Sequence, residues 1–291
     1  MKKLILTLTV LFFFKIGTFH AQTFYENYLG PDFLMYKGAL FKLKDNAISG
    51  FSHSYYADLK NCQRMYDNNV IYPETRYTFN TEKDSLKNRI FRVEEIIGKD
   101  GSAFLSNASL DKPIFILRDT TTKQAIYYVY DKEYEHNFPF LTSKITLDVN
   151  VICAKIEHQK DDFTNEITIN NPIIEGSSVS PMIIYKIIKN GKVSYFLSLH
   201  TYGSTINVGG TGVIILFDNG TKLNKPTIKI DVEYDGTGYE YSAWIPLTEI
   251  EVKTLTTKKI SKFRLYVYDE DVNSSFAEKF SVYVKCVIER K

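Results

Sequence analysis

The chain has 291 residues, of which 44% are apolar and 14% aromatic, so it can bury a substantial core in one large or two medium domains. Its 36 basic and 34 acidic residues nearly balance, which gives no support to a nucleic-acid-binding surface. Three cysteines are too few for the disulfide framework of a small secreted protein.

The first 21 residues have the three-part pattern of a secretory signal peptide. Lys2 and Lys3 precede an apolar run over residues 4–14, and a short polar stretch ends at Ala21. As a helix this run would rise only about 16 Å, roughly half of the hydrocarbon thickness, so it does not predict a membrane span. We expect cleavage after Ala21 and export to the periplasm or the medium. Because the first cysteine is Cys62, a lipoprotein is not expected.

Cleavage also changes the charge, since residues 1–21 hold three lysines and no acid. The mature chain of 270 residues has 33 basic and 34 acidic residues, a net charge of about −1 with histidine neutral. This charge predicts no nucleic-acid partner. No later apolar run approaches the roughly 18 residues of a spanning helix, so no membrane span is expected after cleavage.

Aromatic and β-branched residues recur in short runs separated by turn residues, which is typical of antiparallel sheets. A loop-like stretch precedes residues 141–147 and suggests a boundary there. The sequence therefore predicts a mainly β protein. Residues 22–145 form an N-terminal β-rich module with one or two short helices, and residues 146–291 form a C-terminal antiparallel β-sandwich.

The N-terminal module begins with a helical pattern near residues 54–66. Tyr55, Leu59, Cys62 and Tyr66 recur at spacings of four, three and four, which places them on one helix face. Cys62 is therefore expected in the core rather than as a nucleophile. The later run RIFRVEEII fits a strand better than a helix, and KPIFILRD, TTKQ and AIYYVYD form a hairpin.

The C-terminal module shows clearer alternation. Two hairpins are predicted, one of IIYKII and KVSYFLSLH around Asn190 and Gly191, the other of TIKIDVEY and YEYSAWIPL around DGTG. Thr248 and Glu251 form a capping box that predicts a short helix after the second hairpin. The runs TLDVNVICAKIEH and FSVYVKCVI are interpreted as the first and last strands of the module.

Cys153 and Cys286 occupy alternate positions of those two runs, together with apolar residues. Both thiols are therefore expected to point into the C-terminal core, because alternate side chains of a strand share one face. Two buried thiols are the favoured state, and a disulfide between Cys153 and Cys286 is the alternative if the two strands are neighbours.

The stretch HTYGSTINVGGTGVIILFDNG, residues 200–220, is rich in glycine and invites a phosphate-binding interpretation. Such a loop needs a helix after the glycines, with its N-terminal amides facing the phosphate. Here VIILF follows Gly212, and its β-branched residues predict a strand. The glycines are therefore interpreted as a chain reversal, and no cofactor is predicted.

The run YDEDVNSSF spaces Asp269, Asp271 and Asn273 as in the start of an EF-hand loop. Ser274 and Phe280 stand where that loop needs glycine and glutamate, so an ordinary acidic turn is favoured and no metal site is predicted.

No catalytic residue can be assigned from the sequence. The mature histidines show no zinc-binding spacing, and no Gly-x-Ser-x-Gly occurs. Glu133 and Glu135 lie beside His136 but belong to a charged connection without a nucleophile.

Aromatic residues on one hairpin arm suggest a glycan contact. Tyr239 and Tyr241 share a strand face, whereas Trp244, the only tryptophan, takes the other face. Packing in the core or on the sheet surface is favoured for these rings, and contact of Tyr239 and Tyr241 with a glycan is the alternative.

The segments KPIFILRDTTTKQAIYYVYDKEYEHNFPF and LSLHTYGSTINVGGTGVIILFDNG, with the short capped helix before KFRLYVYD, carry a resemblance. The pattern resembles a family of exported β-rich proteins of Gram-negative bacteria that has no functional motif. The resemblance implies a periplasmic or secreted β-rich protein and no particular reaction.

Three hypotheses for function follow. The first is a non-enzymatic exported protein that acts by surface contact with a protein or a cell-envelope component. The second is a glycan-binding β-sandwich module, and the third is a hydrolase whose acid and base carry no recognisable motif. An exposed aromatic surface favours the second, and paired carboxylates or histidines favour the third.

Overall fold

The computed structural model describes residues 23–45, 55–63, 70–73, 81–97, 112–133, 138–173, 181–234, 236 and 238–290. These residues form two antiparallel sheets, one of six strands and one of nine, with few helices. The prediction of a mainly β fold is therefore confirmed. The predicted signal peptide, residues 1–21, lies outside the described residues.

The six-stranded sheet contains residues from the first half of the chain. Its strands are β1 (Leu40–Leu43), β2 (Tyr55–Tyr56), β3 (Ile90–Ile97), β4 (Ile114–Asp119), β5 (Ala125–Val129) and β6 (Phe140–Thr142). They lie in the order β2-β5-β4-β3-β1-β6. The strand predicted in RIFRVEEII is β3, and the predicted hairpin is β4 with β5.

Aromatic rings fill the core beneath this sheet. Phe115 stacks on Tyr130 with ring centroids 4.7 Å apart, and Tyr36 stacks on Phe138 at 5.3 Å. Tyr36 ends a 3₁₀ helix, Gly30–Tyr36, that covers the core. Aromatic pairs of this kind add about 0.5–1.5 kcal/mol each beyond the burial of their area.

The nine-stranded sheet follows in the second half of the chain. Its strands are β7 (Glu157–Lys160), β8 (Ile167–Asn170), β9 (Met182–Lys189), β10 (Lys192–Gly203), β11 (Thr211–Phe217), β12 (Lys222–Tyr234), β13 (Tyr239–Leu247), β14 (Ile260–Leu265) and β15 (Tyr268–Asp271). The spatial order is β15-β14-β11-β12-β13-β10-β9-β8-β7. Both predicted hairpins are present, β9 with β10 and β12 with β13.

The long strand β12 makes this sheet sandwich-like. Its first part pairs with β11 and its last part, from Ile230, pairs with β13. The sheet folds back far enough for Tyr268 of the edge strand β15 to contact Tyr241 of β13, with ring centroids 4.3 Å apart. A second link joins Thr201 Oγ1 of β10 to Glu270 Oε2 of β15 at 3.0 Å.

The described residues contain four α-helices: α1 (Leu59–Gln63), α2 (Val149–Cys153), α3 (Glu249–Thr257) and α4 (Ser274–Glu289). Cys62 of α1 is fully buried. The predicted capping box begins α3, because the Thr248 side chain accepts from the Glu251 N–H and the Glu251 side chain accepts from the Thr248 N–H. Helix α4 packs its apolar face into the core of the nine-stranded sheet.

Two segments predicted as strands contain the helices α2 and α4. In both, the residue before the helix is an N-cap that indicates a helix start. Asn273 accepts a hydrogen bond from the Ser275 N–H at 2.9 Å and begins α4, so FSVYVKCVI is not a strand. Asp148 likewise accepts from the Asn150 N–H at 2.9 Å and begins α2 within TLDVNVICAKIEH. A short apolar run is compatible with the two-residue period of a strand and with the 3.6-residue period of a helix. In these two segments the N-caps favour the helix.

The burial in these helices differs from the expected alternation. Phe280, Tyr283, Val284 and Val287 of α4 are buried at spacings of three, one and three residues, the period of a helix. In α2, Ile152 is buried whereas its neighbour Val151 is 44% exposed.

Cys153 of α2 and Cys286 of α4 form a disulfide, with Cα atoms 5.3 Å apart. The expectation of two buried thiols is therefore wrong, and the alternative is what the structure contains. The bond joins two helices rather than two neighbouring strands. It closes a loop with a sequence separation of 133 residues that contains all nine strands of this sheet.

Candidate functional site

The glycine-rich stretch holds no phosphate-binding loop. The segment beyond Gly212 is the strand β11, as predicted, so no helix N-terminus follows the glycines. Gly212 has a φ of +106° at an irregularity in the pairing of β11 with β12, a conformation that favours glycine. A Cβ on Gly203 would lie 2.6 Å from the Tyr268 ring, so this glycine permits a close approach of two strands.

Tyr241 is fully buried and cannot contact a glycan. Its hydroxyl donates to the Thr205 carbonyl oxygen and accepts from the Asn207 N–H at 3.0 Å, which holds the β10–β11 loop against the sheet. Tyr239 is partly buried and packs on Tyr234, with ring centroids 5.6 Å apart. The Tyr241 part of the glycan-contact prediction is therefore wrong, whereas packing in the core is what the structure shows.

The acidic run after Leu265 is a strand rather than a turn. Asp269 lies in β15 and pairs with Arg264 of β14, and Asp271 pairs with Lys262 at 3.0 Å. The Arg264 guanidinium outweighs burial and lowers the pKa of Asp269. Cross-strand ion pairs thus explain the alternation that resembles a calcium loop. Within the described ranges, no three His, Cys, Asp or Glu side chains cluster as a metal site would require.

Glu135 and His136, which the sequence analysis assigned to a charged connection, lie outside the described residues, as does His53. Glu133 is exposed, and its N–H donates to Asp131. His158 is exposed on β7. His200 differs from these, since it lies on the interior strand β10 with a polar partner on each ring nitrogen.

Strand alternation places His200 on the face of the sheet that points away from α4. On β10, Leu197 and Leu199 are fully buried on the α4 side, so Ser198 and His200 take the opposite side. We define the open face by six side chains of β9, β10 and β13 on this side of the sheet. They are Tyr185, Phe196, Ser198, His200, Glu240 and Trp244.

Three aromatic rings form one part of the open face, here called the Trp244 platform: Tyr185, Phe196 and Trp244. Trp244 stacks on Phe196, with ring centroids 5.1 Å apart and planes inclined by 24°, and it contacts Tyr185 at 4.6 Å. Trp244 is 45% exposed. Its neighbours therefore fix the indole while leaving ring surface in contact with solvent.

Three polar side chains beside the platform form a hydrogen-bonded series, here called the Ser198 triad: Ser198, His200 and Glu240. The Ser198 Oγ lies 3.0 Å from His200 Nε2, and His200 Nδ1 lies 2.7 Å from Glu240 Oε1. An ionised carboxylate only accepts, so Nδ1 carries a proton, and in the neutral ring Nε2 accepts from the serine hydroxyl. The triad has the order of nucleophile, base and orienting acid.

More polar groups border the platform on the β7–β8 side. Asn170 Nδ2 donates to Glu157 Oε2 at 2.8 Å, and Asn170 is the cross-strand partner of Tyr185. Burial raises the pKa of the Tyr185 hydroxyl, and the Glu157 charge raises it further. The platform thus has hydrogen-bonding groups on two sides.

A separate cavity of about 240 Å³ lies where the N-terminal segment meets the start of α4. Its walls include Asn27, Lys144 and Ser275. Lys259 Nζ and Glu278 Oε2, also on its wall, pair with each other at 2.9 Å. Because these two charged groups neutralise each other, they are not free to bind a ligand in the cavity. We therefore place the candidate site on the open face.

The Ser198 triad has no local sequence motif, because β11 and β12 separate Glu240 from Ser198 and His200 along the chain. Alternation alone places Ser198 and His200 on one face. Glu240 joins them only through the pairing of β10 with β13, in which His200 lies opposite Ser242.

No helix in the described part of the chain is long and apolar enough to cross a membrane.

No protein-family model matches the sequence, and neither a curated protein nor a solved structure matches it.

Proposed function

We propose that this is an exported, glycan-binding protein and that sugar rings stack on the Trp244 platform. The observation that carries the proposal is the 45% exposure of Trp244 on a sheet face where two other rings hold it in place. A large, rigid and partly exposed ring provides contact area at a low cost in conformational entropy.

The polar groups around the platform favour a glycan over other ring-bearing ligands. Glu240 and Glu157 carry acceptor oxygens, and the Tyr185 hydroxyl on the platform can both donate and accept. Sugar hydroxyls both donate and accept, so they can satisfy such a mixed border. A polyanion would instead meet carboxylates beside the rings, which is unfavourable.

Export is supported by the predicted signal peptide and by the disulfide. Disulfides persist mainly in oxidising compartments such as the periplasm and the extracellular medium. The Cys153–Cys286 bond fits that environment. The intact mass of the protein recovered from the periplasm or the medium tests this part of the proposal. Loss of residues 1–21 supports it, whereas a retained N-terminus contradicts it.

Binding of immobilised polysaccharides tests the glycan proposal. The mature protein is passed over a panel that includes peptidoglycan, chitin and a neutral β-glucan. We expect retention on at least one member and at least a tenfold weaker affinity for Trp244→Ala, since loss of an aromatic anchor costs about 2 kcal/mol. Phe163→Ala is the matched control, because Phe163 is fully exposed on the β7–β8 turn. Equal binding by Trp244→Ala, or retention on no member, contradicts the proposal.

A second candidate function is contact with a protein through one end of the sheet. The β10–β11 loop exposes Ile206 and Val208, 58% and 82%, and the β14–β15 turn exposes 58% of Val267. Asn207 Nδ2 donates to the Tyr268 hydroxyl at 2.8 Å, which holds the loop beside the turn. Exposed apolar groups that lie together in this way are typical of interaction surfaces.

The substitution Val208→Asp separates the two candidates. If a protein partner from the cell envelope binds at this end, Val208→Asp abolishes its cross-linking to the mature protein and leaves polysaccharide retention unchanged. The partner's cross-linking to Trp244→Ala should equal that of the unsubstituted protein. Equal cross-linking of Val208→Asp contradicts the second candidate.

A further inference from the structure

We propose that the Ser198 triad removes a small acyl group, of the acetyl class, from a sugar bound on the Trp244 platform. The substrate class rests on the proposed glycan binding, whereas the reactivity of Ser198 rests on the triad itself. The triad has the three groups of a base-activated nucleophile: a serine, a histidine within hydrogen-bond distance, and a carboxylate on the other ring nitrogen.

The hydrogen bond to Glu240 selects the tautomer of the neutral His200 ring. Glu240 Oε1 accepts from His200 Nδ1–H at 2.7 Å, so in the neutral ring the electron pair lies on Nε2. That electron pair faces the Ser198 Oγ at 3.0 Å. The side chains of His200 and Glu240 are 23% and 28% exposed, so a water molecule or a ligand has access to the pair.

The register of the sheet brings this nucleophile to the platform. Ser198 is the direct cross-strand partner of Trp244, and the Cβ atoms of such partners lie about 4.5–5.5 Å apart. A substituent on a sugar ring stacked on Trp244 therefore lies within reach of the serine. The binding surface and the reactive group are adjacent on the same face.

Burial limits the size of the acyl group. Ser198 is only 7% exposed, since Trp244 and Ile183 lie opposite it on the two neighbouring strands. A long acyl chain cannot enter the space between these side chains without displacing them. An acetyl group is the smallest common ester substituent and suits this confinement.

The reaction is hydrolysis of an ester. The Ser198 Oγ attacks the carbonyl carbon, its proton passes to His200 Nε2, and the carbon–oxygen bond to the sugar breaks as that proton moves to the sugar oxygen. Water then attacks the acyl-serine, giving its proton to Nε2, and the Oγ regains that proton as acetic acid leaves. The sum is ester plus water to alcohol plus acid, with no oxidant or reductant.

The backbone around the serine predicts a slow reaction. Strand β10 is paired on both sides, and the His200 N–H donates to the Pro181 carbonyl oxygen at 3.2 Å. Amides used in the sheet are not available to stabilise the oxyanion. Loss of one oxyanion donor costs roughly 10²–10³ in rate, so we expect turnover slower by at least that factor than in an esterase with such donors.

Covalent labelling tests the reactivity of Ser198 without a glycan. The mature protein is treated with methanesulfonyl fluoride, whose methylsulfonyl group is close in size to an acetyl group. The reagent transfers this group to a base-activated serine and releases hydrogen fluoride. Intact mass and peptide mapping should show one adduct, on Ser198. Ser198→Ala should give none, and Ser194→Ala, an exposed serine of the same strand, should label normally. No adduct, or an adduct elsewhere, overturns the proposal.

His200 and Glu240 are tested by the rate of labelling. His200→Gln should slow it at least tenfold by removing the base. Glu240 is a positioning residue, so Glu240→Gln should slow it and Glu240→Asp should restore part of it, at unchanged melting temperature. Equal labelling rates in all three variants overturn the triad.

The labelling result and the binding result are independent. Labelling is carried out without polysaccharide, so its outcome does not depend on whether a sugar binds the Trp244 platform. Ser198→Ala should keep polysaccharide binding but lose release of acetate from an acetylated polysaccharide. Failure of labelling thus contradicts the triad alone, and failure of polysaccharide binding contradicts the platform.

Discussion

Asp32, in the 3₁₀ helix near the start of the described chain, forms a buried ion pair with Lys279 of the last helix, α4. Lys155, after α2, contacts the same carboxylate. The side chains of Asp32 and Lys279 are only 1% and 6% exposed. Burial lowers the pKa of Lys279, and the Asp32 carboxylate opposes that change. One carboxylate thus connects the segment before β1 to α4 and to the residues that follow α2.

The substitution Asp32→Asn should destabilise the fold by about 3–5 kcal/mol at neutral pH, because it leaves Lys279 buried without its counter-charge. The effect should shrink as pH rises. Without Asp32 the pKa of Lys279 falls further in the folded state, so the unfolded chain binds more protons up to about pH 10.4 and stability rises with pH.

Urea denaturation at pH 7 and pH 9.5 measures both effects. The difference between Asp32→Asn and the unsubstituted protein should be smaller at pH 9.5. Asp231→Asn, whose carboxylate is exposed beside Lys229, is the control and should change little at either pH. A difference that stays constant with pH argues against an uncompensated Lys279 charge.

The disulfide should stabilise the protein strongly, because it closes a long loop. Replacement of Cys153 and Cys286 together by alanine should lower the free energy of unfolding by about 3–5 kcal/mol. Thiol titration checks the bond directly. The mature protein, denatured without reductant, should show one free thiol from Cys62, and all three cysteines should react after reduction. Three thiols without reductant would disprove the bond.

The remaining thiol should be inert in the folded protein. Burial raises the pKa of Cys62 to about 12, and the Asp58 charge adds to this rise. The thiolate is the reactive form, so at pH 8 a disulfide reagent should not modify native Cys62 over minutes. The same reagent should react fully in urea at that pH. Modification of the native protein at the rate seen in urea would show that the thiol is accessible and ionised.

Alternation predicted the sheets well where one face meets the core. In β13, Tyr241 and Ala243 are buried and Trp244 is exposed, as their parity requires. Alternation predicted a strand for FSVYVKCVI, which is part of α4, because the run is apolar enough to fit both a strand and a helix. The Asn273 cap, a local hydrogen bond that competes with the strand, decides for the helix.

The candidate site was harder to predict than the fold. Alternation in KVSYFLSLH places Ser198 and His200 on one face of the strand. Glu240 contacts His200 only when β10 and β13 pair in this particular register. A shift of one residue would move Glu240 to the core side. Long-range register follows from packing over the whole sheet, and a single sequence does not encode it locally.

The most direct test of the central claim uses the single tryptophan of the chain, Trp244, as its own probe. The mature protein is titrated with a soluble oligosaccharide of the retained polysaccharide while tryptophan emission and heat of binding are recorded. Stacking on the indole predicts a saturable change in emission with the same midpoint as the calorimetric curve. Heat of binding with unchanged emission would place the sugar elsewhere and contradict the account.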